Sequence, residues 1–204
     1  MPQTPRIEAA AERSRLVGEA LAQATEAHAG QVRNGSGGMP YIEHPKTVAE
    51  CLAAHGYADE VLAAALLHDV VEDSELTVED LHRGFGEPVA GLVAVLSDDE
   101  SIDDYRERKD EHRARVRIAD GDALAIYGAD KLTNASTLRR AYEAQGDSVR
   151  EEFKVPLELK LEVWEADAAL LAREVPDLPI LTELEQALSR LREDLAAAAP
   201  RPGT

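Results

Sequence analysis

The chain has 204 residues, of which 44% are hydrophobic, enough to fill one core of ordinary size and too many for a disordered polymer. A formal net charge of −18 excludes nonspecific nucleic-acid binding, which needs a basic footprint, but leaves room for a small anionic ligand held by a metal or a few placed cations. A single cysteine, Cys51, excludes a disulfide framework; no apolar run is long enough for a bilayer, and the polar start MPQTPRIEAAAERSR lacks the centre of a signal peptide, so no membrane partner and a cytoplasmic location are expected.

Few aromatics and many Ala and Leu residues predict helices packed through aliphatic side chains. Residues 5–29 read as one helix with Ile7, Leu16, Val17 and Leu21 facing inward, ended by Gly30. The stretch 34-NGSGGMP-40 is a loop, and Pro45 stands where a helix can begin; 46–55 carries Val48, Cys51 and Leu52 at helical spacing and stops at Gly56. Residues 59–68 form a short buried helix followed by the acidic segment 69–76. Thr77 opens a capping-box-like TVED, with the helix running to about Arg83. An apolar helix follows at 88–96, then charged helices at 103–117 and 121–143. Residues 149–173 read as a long amphipathic helix kinked or broken at Pro156; 180–197 is the last helix, and the tail 198–204 is expected to fray. No strand pattern, repeat or linker stands out. The expectation is an all-α fold, one domain over 1–204 with its core at about 5–175.

The run 62-LAAALLHDVVEDSELT-77 passes directly from an apolar helix into a histidine and several acids. Taken singly, His68-Asp69 is a capped helix end and Glu72-Asp73 a solvated surface. With His44 in YIEHP and Asp130 in GADKLTN, however, the chain offers two imidazoles and two carboxylates, natural ligands for a first-row transition metal that leave positions open for water and substrate. Such a metal makes water a nucleophile near neutral pH. Glu72, three and four residues beyond Asp69 and His68, shares their face if the segment stays helical, and can act on the water or a leaving oxygen.

The stretches 28-HAGQVRNGSGGMPYIEHPKTVA-49, 64-AALLHDVVEDSELTVEDLHRGFGEPVAGLV-93 and 129-ADKLTN-134 resemble the HD-domain phosphohydrolases, above all the (p)ppGpp hydrolase branch of the RelA/SpoT family with its stand-alone alarmone hydrolases. The resemblance is close over about 15–97 and 126–139. It implies an all-helical HD-domain bundle that removes the 3′-pyrophosphate of ppGpp or pppGpp, giving GDP or GTP. It implies that His44, His68, Asp69 and Asp130 bind a metal, manganese in this branch. Glu72 and Asp73 would position or activate the attacking water, Arg33 would stack on the nucleotide base, and Asn134 would bind the nucleoside. Tyr41 would pack beside His44 and the substrate, unless it is a core-edge residue. Within 106-RERKDEHRARVR-117, Arg108 and Lys109 fall where relatives carry basic residues and could hold distal phosphates. The competing reading for that helix as a whole, slightly favoured, is a solvated face pairing with Asp103, Asp104, Glu107 and Glu111.

The sequence departs from the family pattern in two places. Tyr127 and Gly128 stand where relatives have a lysine and an apolar residue, and Asn34 replaces a basic one. These changes bear on the substrate, and keep open another nucleotide, the 2′-phosphate of NADPH, or a nucleotide-binding module without turnover. His28 is expected to be structural or to support the site, and His55, His82 and His112 to lie on the surface or at helix ends. Cys51 reads as an inert core thiol and Trp164 as helix packing. No length remains for a synthetase or regulatory domain, so hydrolysis alone is expected. The C-terminal helices could serve a homodimer.

Overall fold

Ser14 divides the first expected helix. In the computed structural model, which describes residues 6–198, its backbone is extended and its hydroxyl accepts the N–H of Val17, so α1 (Arg6–Arg13) ends and α2 (Arg15–Ala27) starts afresh. A serine at this position caps more readily than it continues a helix. α1 packs back on α2 so tightly that a Cβ on Gly18 would lie 2.9 Å from the carbonyl oxygen of Ala11. The loop that follows is closed by an isolated antiparallel bridge between Val32 and Pro40, which sets Arg33 and Tyr41 side by side.

α3 (Glu43–Ala54) and α4 (Asp59–Leu67) come next. Every residue from Val61 to Leu67 is buried, as an all-round apolar helix must be. α4 is therefore the central element, packed against α2, α3 and the later helices α7 (Glu87–Leu96) and α9 (Gly121–Gln145). Between α4 and α7 lie the single turn α5 (Val70–Asp73) and α6 (Val78–Phe85). The capping box at the start of α6 is present in both directions, Thr77 with Asp80.

The charged helix is α8 (Tyr105–Val116). The expected long helix at 149–173 is instead a 3₁₀ segment, Gly146–Glu152, and then α10 (Leu157–Glu174). Pro156 takes the N-cap position of α10: lacking an N–H, it can stand at or before a first turn but cannot continue a helix through its interior. α11 (Leu181–Ala198) packs on α9 and α10. At Gly128 of α9 a Cβ would come within 3.1–3.3 Å of Leu178, Leu171 and Ile180, so the missing side chain lets α10 and the segment before α11 approach α9. The tail from 199 onward lies outside the described residues. Among those residues the fold is all helical, with no helix long and apolar enough to cross a membrane.

Candidate active site

Three elements converge on one point. α3 brings His44 from its first turn, the end of α4 brings His68 and then Asp69, and the middle of α9 brings Asp130. One ligand atom each from His44, His68 and Asp130 lies within 4.8 Å of the others. His44 Nε2 is 3.1 Å from Asp130 Oδ1 and 3.5 Å from Asp69 Oδ2; His68 Nε2 is 3.1 Å from Asp69 Oδ1 and 3.9 Å from Asp130 Oδ1. His68 Nδ1 lies 2.9 Å from the carbonyl of Ala65. A proton on Nδ1 donates there and turns the Nε2 lone pair toward the carboxylates. That Nε2 is buried and makes no hydrogen bond of its own. Two imidazoles and two carboxylates packed this closely, with an orphaned ring nitrogen, suit a divalent cation.

Burial holds His44 neutral, its pKa down to about 4. Burial acts on His68 too, but the charges of Asp69 and Asp130 outweigh it and raise the pKa. Asp130 stays ionised despite burial because the Lys131 ammonium, 2.7 Å from its Oδ2, and His44 favour the carboxylate. Its Oδ1 also accepts from Asn134 Nδ2 at 2.6 Å, and the Arg33 guanidinium donates to the Asn134 Oδ1. Tyr41, its pKa raised by burial and by Asp69, keeps its proton and donates it to Asp69 Oδ2 at 2.8 Å.

Glu72 comes from α5, so the segment does not run on as one helix: α4 stops at Leu67, His68 and Asp69 form a turn, and the separate turn α5 still brings Glu72 to the same cleft. Burial, then the charge of Asp69, lift its carboxyl to about 7, and its Oε1 accepts the backbone N–H of Asp98 at 2.8 Å. Asp73 does not join the cavity wall: its side chain is exposed, and its carbonyl is held by Gln31, which also meets His28 at 2.9 Å. His28 stacks on Tyr41, a supporting role of the kind expected.

The ligand cluster opens into a cleft of about 220 Å³. Arg33, Tyr41, Glu72, Arg108, Lys109 and Asn134 all line it, so every expected site residue except Asp73 meets there. Lys109 bonds Asp98, and Arg108 Nε lies 3.5 Å from the same carboxylate. The other arginines of 106–117 follow the solvated reading only in part: Arg106 pairs with exposed Glu162 and Arg115 with Glu111, the one of the four expected acids that takes part, but Arg115 also donates to the carbonyls of Ala94 and Ser97, and Arg113 pairs with exposed Asp110 and with buried Asp167.

His112 corrects the expectation of a surface residue. It is buried, sets Nδ1 2.9 Å from Asp98 and meets Tyr127 edge-on at 5.3 Å. So charged a helix gave little sign of its one inward face, His112 and Val116 at i, i+4. Tyr127 is buried beneath the Lys131 ammonium, 4.3 Å from its ring, so Lys131 supplies a cation at the wall where the family lysine is missing. Gly128 faces the opposite way, into the apolar contacts described above, and Asn34 is exposed. Lys131, Lys160 and Asp98 line the cleft without having stood out in the sequence; a lysine inside the apolar stripe Leu157, Leu161, Trp164 was the available signal for Lys160. Trp164 is buried packing, as expected, and also forms part of the cleft wall.

A family model for the HD domain matches residues 20–164. The chain belongs to the HD domain family. Among HD domain proteins it is similar to a guanosine-3′,5′-bis(diphosphate) 3′-pyrophosphohydrolase of Vibrio cholerae, 42% identical over 130 residues, 59% of this chain but 18% of that protein. It is also similar to guanosine-3′,5′-bis(diphosphate) 3′-pyrophosphohydrolase MESH1 of Danio rerio, 39% identical over 57% of this chain and 66% of the relative. The chain thus spans less than two thirds of either relative's length. A solved structure described as a metazoan ortholog of SpoT that hydrolyzes ppGpp superposes with a TM-score of 0.69 at 27% identity, covering 89% of this chain and 96% of that one. The crystal structure of lmo0812 from Listeria monocytogenes gives 0.67 at 30% identity over 74% and 99%.

Proposed function

We propose that the chain is a metal-dependent hydrolase that removes the 3′-pyrophosphate of (p)ppGpp to leave GDP or GTP, with manganese as the metal. The observation that carries this reading is the joining of a His/Asp cluster to a cleft lined by five cations, Arg33, Arg108, Lys109, Lys131 and Lys160, in a chain of net charge −18. The names of the HD domain relatives support the substrate class.

His44, His68, Asp69 and Asp130 hold the metal, which when bound neutralises charge on the reacting phosphate and eases deprotonation of water. Tyr41 on Asp69, and Lys131 with Asn134 on Asp130, fix the carboxylates in place before substrate arrives. Glu72, lifted to about 7, is matched to taking a proton from water at neutral pH and returning it to the leaving oxygen. Asp73 acts from the rim, beside Tyr41, where its carboxylate orients the attacking water. Arg33, tied to Asn134 and lying 5.7 Å from the centre of the Tyr41 ring, offers a guanidinium plane to the base. Arg108 and Lys109 face the phosphates.

The test is hydrolysis of ppGpp by the purified protein with manganese, beside H68A and E72Q. GDP and pyrophosphate from the wild type alone, with losses of roughly a hundredfold or more in both variants, support the proposal. Manganese binding at one ion per chain with ppGpp left intact would refute the substrate assignment and direct the assay to other nucleotides and NADPH.

A further inference from the structure

Of the five cations in the cleft, Lys160 stands apart. Lys131 is bonded to Asp130, Lys109 to Asp98, Arg108 lies 3.5 Å from Asp98, and Arg33 is bonded to Asn134. The Lys160 ammonium has no carboxylate partner among the described residues. Its surroundings are three rings, with centres 5.2 Å (Phe153), 5.4 Å (Tyr105) and 5.9 Å (Trp164) away. A lysine with a free path to water would extend into it. This one is half-buried in the cleft wall instead, with the cations Lys109, Lys131, Arg33 and Arg108 near enough to repel it. Burial first, then these four cations, lower its pKa to about 8. The rings offset part of the cost of holding a cation there, but among the described residues no carboxylate pairs with it.

An arrangement of this kind is completed by an anion that arrives with the ligand. The cation bonded to the ligand cluster, Lys131, serves the reacting end. Lys160 is carried by a different helix, α10, and sits among the rings of Phe153, Tyr105 and Trp164, not on a ligand carboxylate. Resting on the alarmone reading above, we infer that Lys160 binds the second, non-reacting phosphate group of the substrate, the 5′-diphosphate, and makes the site selective for nucleotides phosphorylated at both ends. The aromatic walls fix the ammonium so that little side-chain freedom is lost when the phosphate binds.

The experiment compares guanosine 5′-diphosphate 3′-diphosphate with guanosine 3′-diphosphate, which keeps the scissile group and lacks the 5′ phosphates, in wild type, K160M and K160R. The wild type is expected to show the lower KM for the doubly phosphorylated nucleotide. K160M should shrink the ratio of the two KM values by about tenfold or more, with the change in KM and not kcat, and K160R should restore most of it. Thermal melting of both variants reports on folding, and K160R keeps the contacts to the rings. Equal effects of K160M on both nucleotides, or an effect confined to kcat, would overturn the assignment while leaving the hydrolase reading intact. Cleavage of neither nucleotide by the wild type would overturn that reading, and this assignment with it.

Discussion

Asp98 connects the loop after α7 to the cleft-lining face of α8, and its removal should be felt first in stability. Its side chain is 9% exposed; His112 Nδ1 lies 2.9 Å away, Lys109 bonds it, and Arg108 approaches to 3.5 Å. Burial alone would raise its pKa, but the His112 hydrogen bond and the Lys109 charge bring it well below the usual carboxylate range. Removing one member of a buried ion pair costs about 3–5 kcal/mol. Asn keeps the shape and one acceptor, and Lys109 and Arg108 stay partly hydrated, so the expected cost of D98N is about 2–3 kcal/mol. In a chain of this length that lowers Tm by roughly 5–10 °C. Because the folded-state pKa is depressed, the aspartate's contribution is full above the unfolded value of about 4 and is lost as pH falls toward the folded one. Urea unfolding followed by helical circular dichroism should therefore show the full difference between wild type and D98N at pH 7 and a smaller one at pH 3. A difference below about 0.5 kcal/mol at pH 7, or one that does not change with pH, would refute the reasoning.

Three further outcomes are expected. A divalent metal at a hundredfold excess over its Kd should stabilise the protein by about 2.7 kcal/mol, with chelator reversing the gain and H44A abolishing it in thermal melts. G128L should destabilise by about 1–3 kcal/mol, because Leu171, Leu178 and Ile180 already fill the volume the new side chain needs, while KM stays near the wild-type value; a G128L protein as stable as wild type would show that α10 gives way freely. T77A should cost about 1 kcal/mol in chemical denaturation through loss of the cap on α6, with no change in metal affinity.

Local signals were legible where a side chain acts on its own segment. The apolar run of α4, the Thr77 capping box and the stop at Gly56 each follow from neighbours a few residues away, and so did their boundaries. Ser14 and Pro156 carried the same kind of signal. Each breaks a helix by its own chemistry, yet the apolar periodicity on both sides masked the first break and left the second open between kink and stop. The cluster of His44, His68, Asp69 and Asp130 was visible because metal-ligand chemistry restricts residue types strongly. The groups that stayed hidden depend on distant partners. His112 needs Asp98 and Tyr127 to be read as buried, and Lys160 needs rings from α8, α10 and the preceding loop. Gly128 looked like a departure within the site until α10 supplied the reason for it.

The cations of the cleft lie within a molecule whose net charge is −18, and this has a consequence for the rate of encounter. At about 10 mM salt the Debye length is about 30 Å, so an approaching polyanion senses the whole acidic surface and is repelled. At about 100 mM it falls to about 10 Å, the distant acids are screened, and the near cations act almost alone. Association with a multiply phosphorylated nucleotide should therefore quicken as salt is added over this range, before higher salt weakens the contacts themselves. Stopped-flow binding at the two salt concentrations tests this, and an association rate that falls steadily with salt would mean that the cleft already attracts its ligand from beyond the acidic surface.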